Sequence, residues 1–195
     1  MENIDVETVL KYRNYIQKLP ILIKLIDFLD HSKIRICYDT LELSGKAKET
    51  LPVEALALLD GQFGDIKVRI FAVKKLSQLT DSQIALFMPQ LIQALKYELF
   101  HQSPLSEFLL EKALSNTRVV GHVFFWNLKA NLSQVNSRER FYLMLERFLM
   151  CCGQFKNELF KQNLVNESLI KLSGFVNNKL DVEKVSKKQT VALMH

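Results

Sequence analysis

Hydrophobic residues recur along this chain at steps of three and four, the interval that places them on one side of an α-helix. Between Asp65 and Leu79 they fall at Val68, Phe71, Ala72, Leu76 and Leu79, a single stripe. Between Arg138 and Gly153 they fall at Phe141, Met144, Leu145, Phe148, Leu149 and Cys152, while Arg138, Glu139, Glu146 and Arg147 take other faces. The two-residue alternation of a half-buried strand is absent. The apolar run Val119–Trp126 has the length of a buried strand, but the helical patterns on both sides of it predict a fully buried helix. Read end to end, the pattern predicts roughly ten or eleven helices joined by short connections.

The boundaries carry their own chemistry. Asp65 is a predicted N-cap, its carboxylate accepting an amide that the first turn leaves unpaired. Thr80 and Gln83 have capping-box spacing, and Asn136 and Glu139 a looser form of it. Ser103-Pro104 places a cap before a proline at the first helical position, and Pro52 suits a first turn too. Gly153 predicts a helix stop. Pro89 is predicted to start a helix or to kink one, because a proline inside a helix costs about 3 kcal/mol.

Helices paired in series, each with a broad apolar face, bury that face by stacking on the next pair. The predicted fold class is therefore all-α, an α-α superhelix of antiparallel helix pairs, or HEAT-like solenoid. The segment DIKVRIFAVKKL resembles the second helix of a HEAT repeat through Asp65, Val68, Arg69, Ala72 and Leu76. In such repeats the aspartate caps, and the arginine bonds carbonyls or acids of the neighbouring repeat. No clean internal repeat recurs elsewhere.

Composition narrows the class. Of 195 residues, 48% are hydrophobic and 24% charged, the balance of a folded soluble domain, and six Gly with four Pro leave little material for turns. The N-terminal MENIDVETVL lacks the apolar core of a signal peptide. No apolar run reaches the roughly 18 residues of a membrane span. Cys37, Cys151 and Cys152 make no disulfide framework, and His31, His101, His122 and His195 add no zinc-ligand spacing. The cysteines are expected to be buried and reduced, as in a cytosolic protein. No metal and no cofactor is expected. The net charge of +5 is mild and dispersed, and the densest cluster, Lys179, Lys184, Lys187 and Lys188, reads as a solvated helix or tail. Arginine does not interleave with aromatics, so nucleic acid is not an expected partner.

Four motifs follow one another in a fixed order. Asp65, Val68, Arg69, Phe71, Ala72 and Val73 form the first, and QLIQALKYE, from Gln90 to Glu98, forms the second. Phe108, Leu109, Leu110, Ala113 and Leu114 form the third; Gly121, His122, Phe125, Trp126 and Leu128 form the fourth. Tyr12, Arg13 and Tyr15, the ALALLD segment Ala55–Asp60, and Arg140, Phe141, Leu145 and Glu146 extend the set. In this order they resemble the helical accessory (PIK) domain of phosphoinositide 3-kinase catalytic chains, over residues 6–175. The resemblance implies a PIK domain over 1–178 and, over 179–195, a basic tail or linker toward a kinase lobe that is absent. It implies structural roles for Asp65, Arg69, Tyr97 and Trp126. In receptor-coupled members, acidic residues near Glu2, Asp5 and Glu7 contact a regulatory subunit; by themselves these three also fit a capped, dipole-matched first turn. The short link from Glu98 to Leu105 looks more like the receptor-coupled class than the vacuolar-sorting one. Two departures stand out: Pro89 replaces an aliphatic residue, and the usual Trp ahead of ALALLD is missing.

Catalytic constellations are absent. The six glycines never approach a phosphate-cradling G-x-G-x-x-G, and neither the catalytic-loop nor the metal-binding motif of a kinase occurs. His122 reads as a satisfied core histidine, and Phe124, Phe125 and Trp126 as core rather than a lipid pocket. Lys96 and Glu98 lie two apart on a helix and face different ways. The leading reading is a non-catalytic scaffold whose full-length relatives are ATP-dependent phosphatidylinositol 3-kinases. Its expected partners are the kinase lobe and neighbouring domains of the same enzyme and a regulatory subunit, with only indirect membrane contact and a cytoplasmic location. A free-standing HEAT-like interaction module and a basic helical protein touching anionic lipid or nucleic acid are the alternatives.

Overall fold

The computed structural model describes residues 19–24, 26–43 and 50–192, with side chains to residue 177. Among the described residues lie nine α-helices and no strand. They are α1 (Leu19–Lys24), α2 (His31–Leu43), α3 (Pro52–Ala55), α4 (Ile66–Leu76), α5 (Asp81–Ala94), α6 (Pro104–Ser115), α7 (His122–Asn131), α8 (Arg138–Cys151) and α9 (Phe155–Ala192). The fold is all-α.

Local chemistry sets most of the boundaries. The Asp65 carboxylate accepts the amides of Lys67 and Val68 at 2.8 and 3.1 Å and opens α4. At α5 the Gln83 amide donates to the Thr80 hydroxyl at 3.4 Å, and the Thr80 amide donates to the Gln83 side chain at 3.0 Å. Ser103 and Ser106 exchange the same pair of bonds at the start of α6, with Pro104 at its first position. Pro52 opens α3 in the same way. After α8, Gly153 turns the chain with φ +60°, a left-handed conformation that side chains disfavour. The expected box at Asn136 is not the start of α8: Asn136 lies inside a short 3-10 turn, Val135–Ser137, and the helix opens at Arg138.

Pro89 neither starts α5 nor ends it. The helix runs through it from Asp81 to Ala94. Its ring lies on the exposed side, where water can take the carbonyl one turn back that loses its amide partner.

The chain divides into two units, residues 1–151 and 152–195. In the first, α2 packs on α4, α4 on α6 and α6 on α8; α3 also packs on α4, α5 packs on α7, and α7 on α8. The core follows the predicted stripes of α4 and α8, in which only Phe71 and Leu149 are half-buried, and extends through α5, α6 and α7. Val68, Ala72 and Leu76 of α4, Ile84, Met88, Leu91 and Ile92 of α5, Leu105 and Leu109 of α6, Phe124 and Leu128 of α7, and Phe141 and Phe148 of α8 are buried. Each large apolar side chain so buried contributes about 1.5–3 kcal/mol. Phe124 meets Phe148 edge to face at 5.5 Å and 73°. Gly121 makes this approach possible: a Cβ there would stand 2.7 Å from the Ala113 carbonyl and 3.0 Å from the Phe148 ring.

The run Val119–Trp126 is helical but not fully buried. It begins in a π-helical turn, Thr117–Gly121, and continues into α7. Val119 is exposed, and His122 and Trp126 are half-buried. The cysteines divide as well: Cys37 and Cys152 are buried, whereas Cys151 is exposed.

In the second unit α9 crosses residue 178 without interruption. Its apolar residues recur at steps of five, at Phe160, Leu164-Val165, Leu169-Ile170 and Phe175-Val176. Five-residue steps turn the stripe around the helix and leave no single polar side. Among the described residues no helix is long and apolar enough to cross a membrane.

Candidate functional site

Arg69 and Glu98 form the most buried charged arrangement of the first unit. Arg69 projects from α4, and Glu98 follows directly on the 3-10 turn Leu95–Tyr97 that closes α5. The guanidinium Nη1 donates to Glu98 Oε1 at 2.8 Å. Nε donates to the Phe63 carbonyl at 2.8 Å, and Nη2 to the Asp60 carbonyl at 3.2 Å. The side chains are 4% and 3% exposed. One arginine thus fastens the loop before its own helix to the loop after the next. Arg140 of α8 closes the group by donating to the Leu95 carbonyl at 2.7 Å. Partial burial lowers the Arg140 pKa, and the Arg69 charge adds to this while Glu98 opposes it. A group so enclosed reaches no substrate; its chemistry is to hold three chain segments in register.

Asp65 does more than cap. While one carboxylate oxygen caps α4, the other accepts the Tyr38 hydroxyl at 2.8 Å, tying α2 to α4. That bond, with burial and the carboxylate charge, pushes the Tyr38 hydroxyl up to about 12. Burial, aided by Asp65, pushes the Cys37 thiol up to about 12. The Lys67 ammonium sits 4.0 Å over the Tyr38 ring.

Tyr97 is half exposed and lies against the backbone at Gly61, where a Cβ would meet its ring at 2.8 Å. Trp126 donates its indole N–H to His122 Nε2 at 3.2 Å and meets Phe125 edge to face at 5.1 Å. His122 is thus a half-buried acceptor on α7, not a core histidine. Phe124 and Phe125 are buried core residues. Glu2, Asp5 and Glu7, with Tyr12, Arg13 and Tyr15, lie outside the described residues.

Sequence reasoning missed Glu98 as the partner of Arg69. The two stand 29 positions apart, beyond the reach of helical spacing. The one available signal was an acid placed at the very end of an apolar-rich helix.

The model of the phosphoinositide 3-kinase family accessory domain (PIK domain) matches residues 1–161. The chain is 44% identical over 118 residues to Phosphatidylinositol 3-kinase 2 of Dictyostelium discoideum, covering 60% of this chain and 6% of that protein. It is 46% identical over 122 residues to Phosphatidylinositol 3-kinase 1 of the same organism, covering 63% and 8%. To the human Phosphatidylinositol 4-phosphate 3-kinase C2 domain-containing subunit beta it is 43% identical over 122 residues, covering 62% and 7%. It spans less than a tenth of the length of these relatives. A match across residues 1–161, over helices whose caps and buried faces use the motif residues, carries one conclusion: this chain belongs to the phosphoinositide 3-kinase accessory-domain (PIK) family.

Proposed function

We propose that the chain is a non-catalytic scaffold of a phosphatidylinositol 3-kinase, an α-α superhelix that holds kinase and membrane-targeting modules in register. The observation that carries this reading is the enclosed Arg69–Glu98 pair, which uses its charge to fasten the loop before α4 to the loop after α5 and leaves none for chemistry. The stacking of α2 on α4, α4 on α6 and α6 on α8 supports the superhelix, because in such arrays each element rests on the second one along. Helix α9 supports the bracing role. It leaves Phe160, Leu164, Leu169 and Phe175 exposed, apolar surface that another polypeptide would cover. The partners are then the neighbouring domains of the same enzyme, with Glu2, Asp5 and Glu7 as the contact for a regulatory subunit. The domain ends at residue 178 and leads into a kinase lobe. The enzyme works in the cytoplasm and is recruited to membranes, where the lobe transfers the ATP γ-phosphate to an inositol 3-hydroxyl.

Two measurements test this. Purified chain incubated with labelled ATP, magnesium and mixed phosphoinositides gives no turnover above a denatured control. A chimera of Phosphatidylinositol 3-kinase 2 of Dictyostelium discoideum, carrying residues 1–161 of this chain in place of its own matching segment, retains lipid kinase activity. Turnover by the isolated chain, or a folded chimera without activity, overturns the reading.

A further inference from the structure

A cleft of about 570 Å³ opens between α2 and α4. Its apolar part is Leu41 from α2 with Ile70 and Phe71 from α4. Among the described residues, Lys67, Lys74 and the buried Lys75 of α4 line it as well, with one acid, Glu42. Helical spacing explains the mixture: residues 67, 70, 71 and 74 share one side of α4, away from the buried Val68, Ala72 and Leu76, while Lys75 is buried at the edge between the two. The lysines are positioned rather than splayed. Lys67 lies 4.0 Å over the Tyr38 ring, whose hydroxyl is fixed by Asp65, and Lys75 lies 5.8 Å from the Phe71 ring. Lys67 and Lys74 make no salt bridge with another described residue.

We propose that this cleft docks an acidic, amphipathic helical segment of a partner polypeptide. Its aliphatic side chains would cover Leu41, Ile70 and Phe71, and its carboxylates would meet Lys67 and Lys74. Charge complementarity selects the acid: among the described residues the two exposed ammonium groups, Lys67 and Lys74, stand against one carboxylate, Glu42. The apolar floor selects a polypeptide over a small anion, which would leave that floor wet. The concave shape selects against a bilayer, because a flat surface cannot follow the apolar floor into a cleft between two helices. A helix laid in a groove presents both kinds of contact at the same spacing as α4. The proposal does not depend on the scaffold reading, since the cleft belongs to the fold whether the chain works inside a kinase or alone.

The test uses the whole chain and a fluorescein-labelled helical peptide with leucines along one stripe and glutamates flanking it. A matched peptide with glutamines in place of the glutamates, and vesicles of phosphatidylcholine with phosphatidylserine, serve as comparisons. Anisotropy should show saturable binding of the glutamate peptide below about 1 mM. Affinity should fall at least about tenfold for the glutamine peptide and for the Lys67→Glu/Lys74→Glu chain. Both lysines are exposed, so that variant should keep its melting temperature. Ile70→Ala, at a position 48% exposed, should weaken binding without changing charge. Rising salt should weaken the glutamate peptide more than the glutamine one. No saturable binding, equal affinity for the two peptides, tighter binding to the vesicles, or full affinity in the lysine variant overturns the proposal.

Discussion

Glu98→Ala is the most revealing single substitution in this molecule. It removes the carboxylate 2.8 Å from Arg69 Nη1 and leaves the guanidinium in place, its side chain 4% exposed. Nε and Nη2 keep the Phe63 and Asp60 carbonyls, so the guanidinium stays anchored where water does not reach it. Breaking a buried pair by deleting one partner costs about 3–5 kcal/mol. Against the 5–15 kcal/mol typical of a whole domain, that approaches the folding limit. Glu98→Gln keeps the shape and one acceptor and should cost less, about 1–3 kcal/mol. Arg69→Ala removes the charge but strips two carbonyls of their donor, so it should cost as much as Glu98→Ala. The double variant Arg69→Ala/Glu98→Ala should be more stable than the sum of its two singles predicts, by about 0.5–3 kcal/mol. Urea denaturation followed by far-ultraviolet circular dichroism measures all four. A loss within about 0.5 kcal/mol for Glu98→Ala, the range of surface sites, or strict additivity in the cycle, would refute the fastening role.

Four further outcomes follow from the geometry. Gly121→Ala should destabilise by about 1–3 kcal/mol, as overpacking does, because its Cβ would meet the Ala113 carbonyl at 2.7 Å; a neutral result by thermal melting would show that α6 and α8 separate freely. Pro89→Leu should be neutral or stabilising by up to about 3 kcal/mol, since it restores a mid-helix amide on an exposed side; strong destabilisation in urea would mean that the ring shapes α5. Thiol labelling at neutral pH should modify Cys151 first and spare buried Cys37, so equal rates would contradict their placement. Cys37 also bears on alkaline stability. Its folded pKa of about 12 lies above the ordinary 9.0, so from about 9 to 12 the unfolded chain gives up a proton that the folded one keeps. Stability should therefore fall as pH rises through that window, less steeply in Cys37→Ala; equal slopes would refute the assignment.

What the sequence determined by itself is the part of this structure written in short-range terms. Asp65, Thr80 with Gln83, Ser103-Pro104 and Gly153 act within a turn of where they stand, so reading three or four residues suffices to place the ends they set. The stripes Val68–Leu76 and Phe141–Phe148 are buried for the same reason: helical spacing alone decides which side is apolar. The ordered motifs were enough to point to the family. Tertiary structure decided what depends on a neighbour distant in sequence. It joined Arg69 to Glu98 across 29 positions, and it brought Phe148 against the backbone at Gly121. It exposed Cys151, although the residue reads as small and apolar. It left His122 and Trp126 half-buried on α7, where an apolar run had suggested enclosure on all sides. It carried α5 through Pro89, because packing of Met88, Leu91 and Ile92 outweighs one lost hydrogen bond. Spacing along a chain fixes which residues share a face; which face meets which is settled only when helices far apart in sequence compete for the same buried surface.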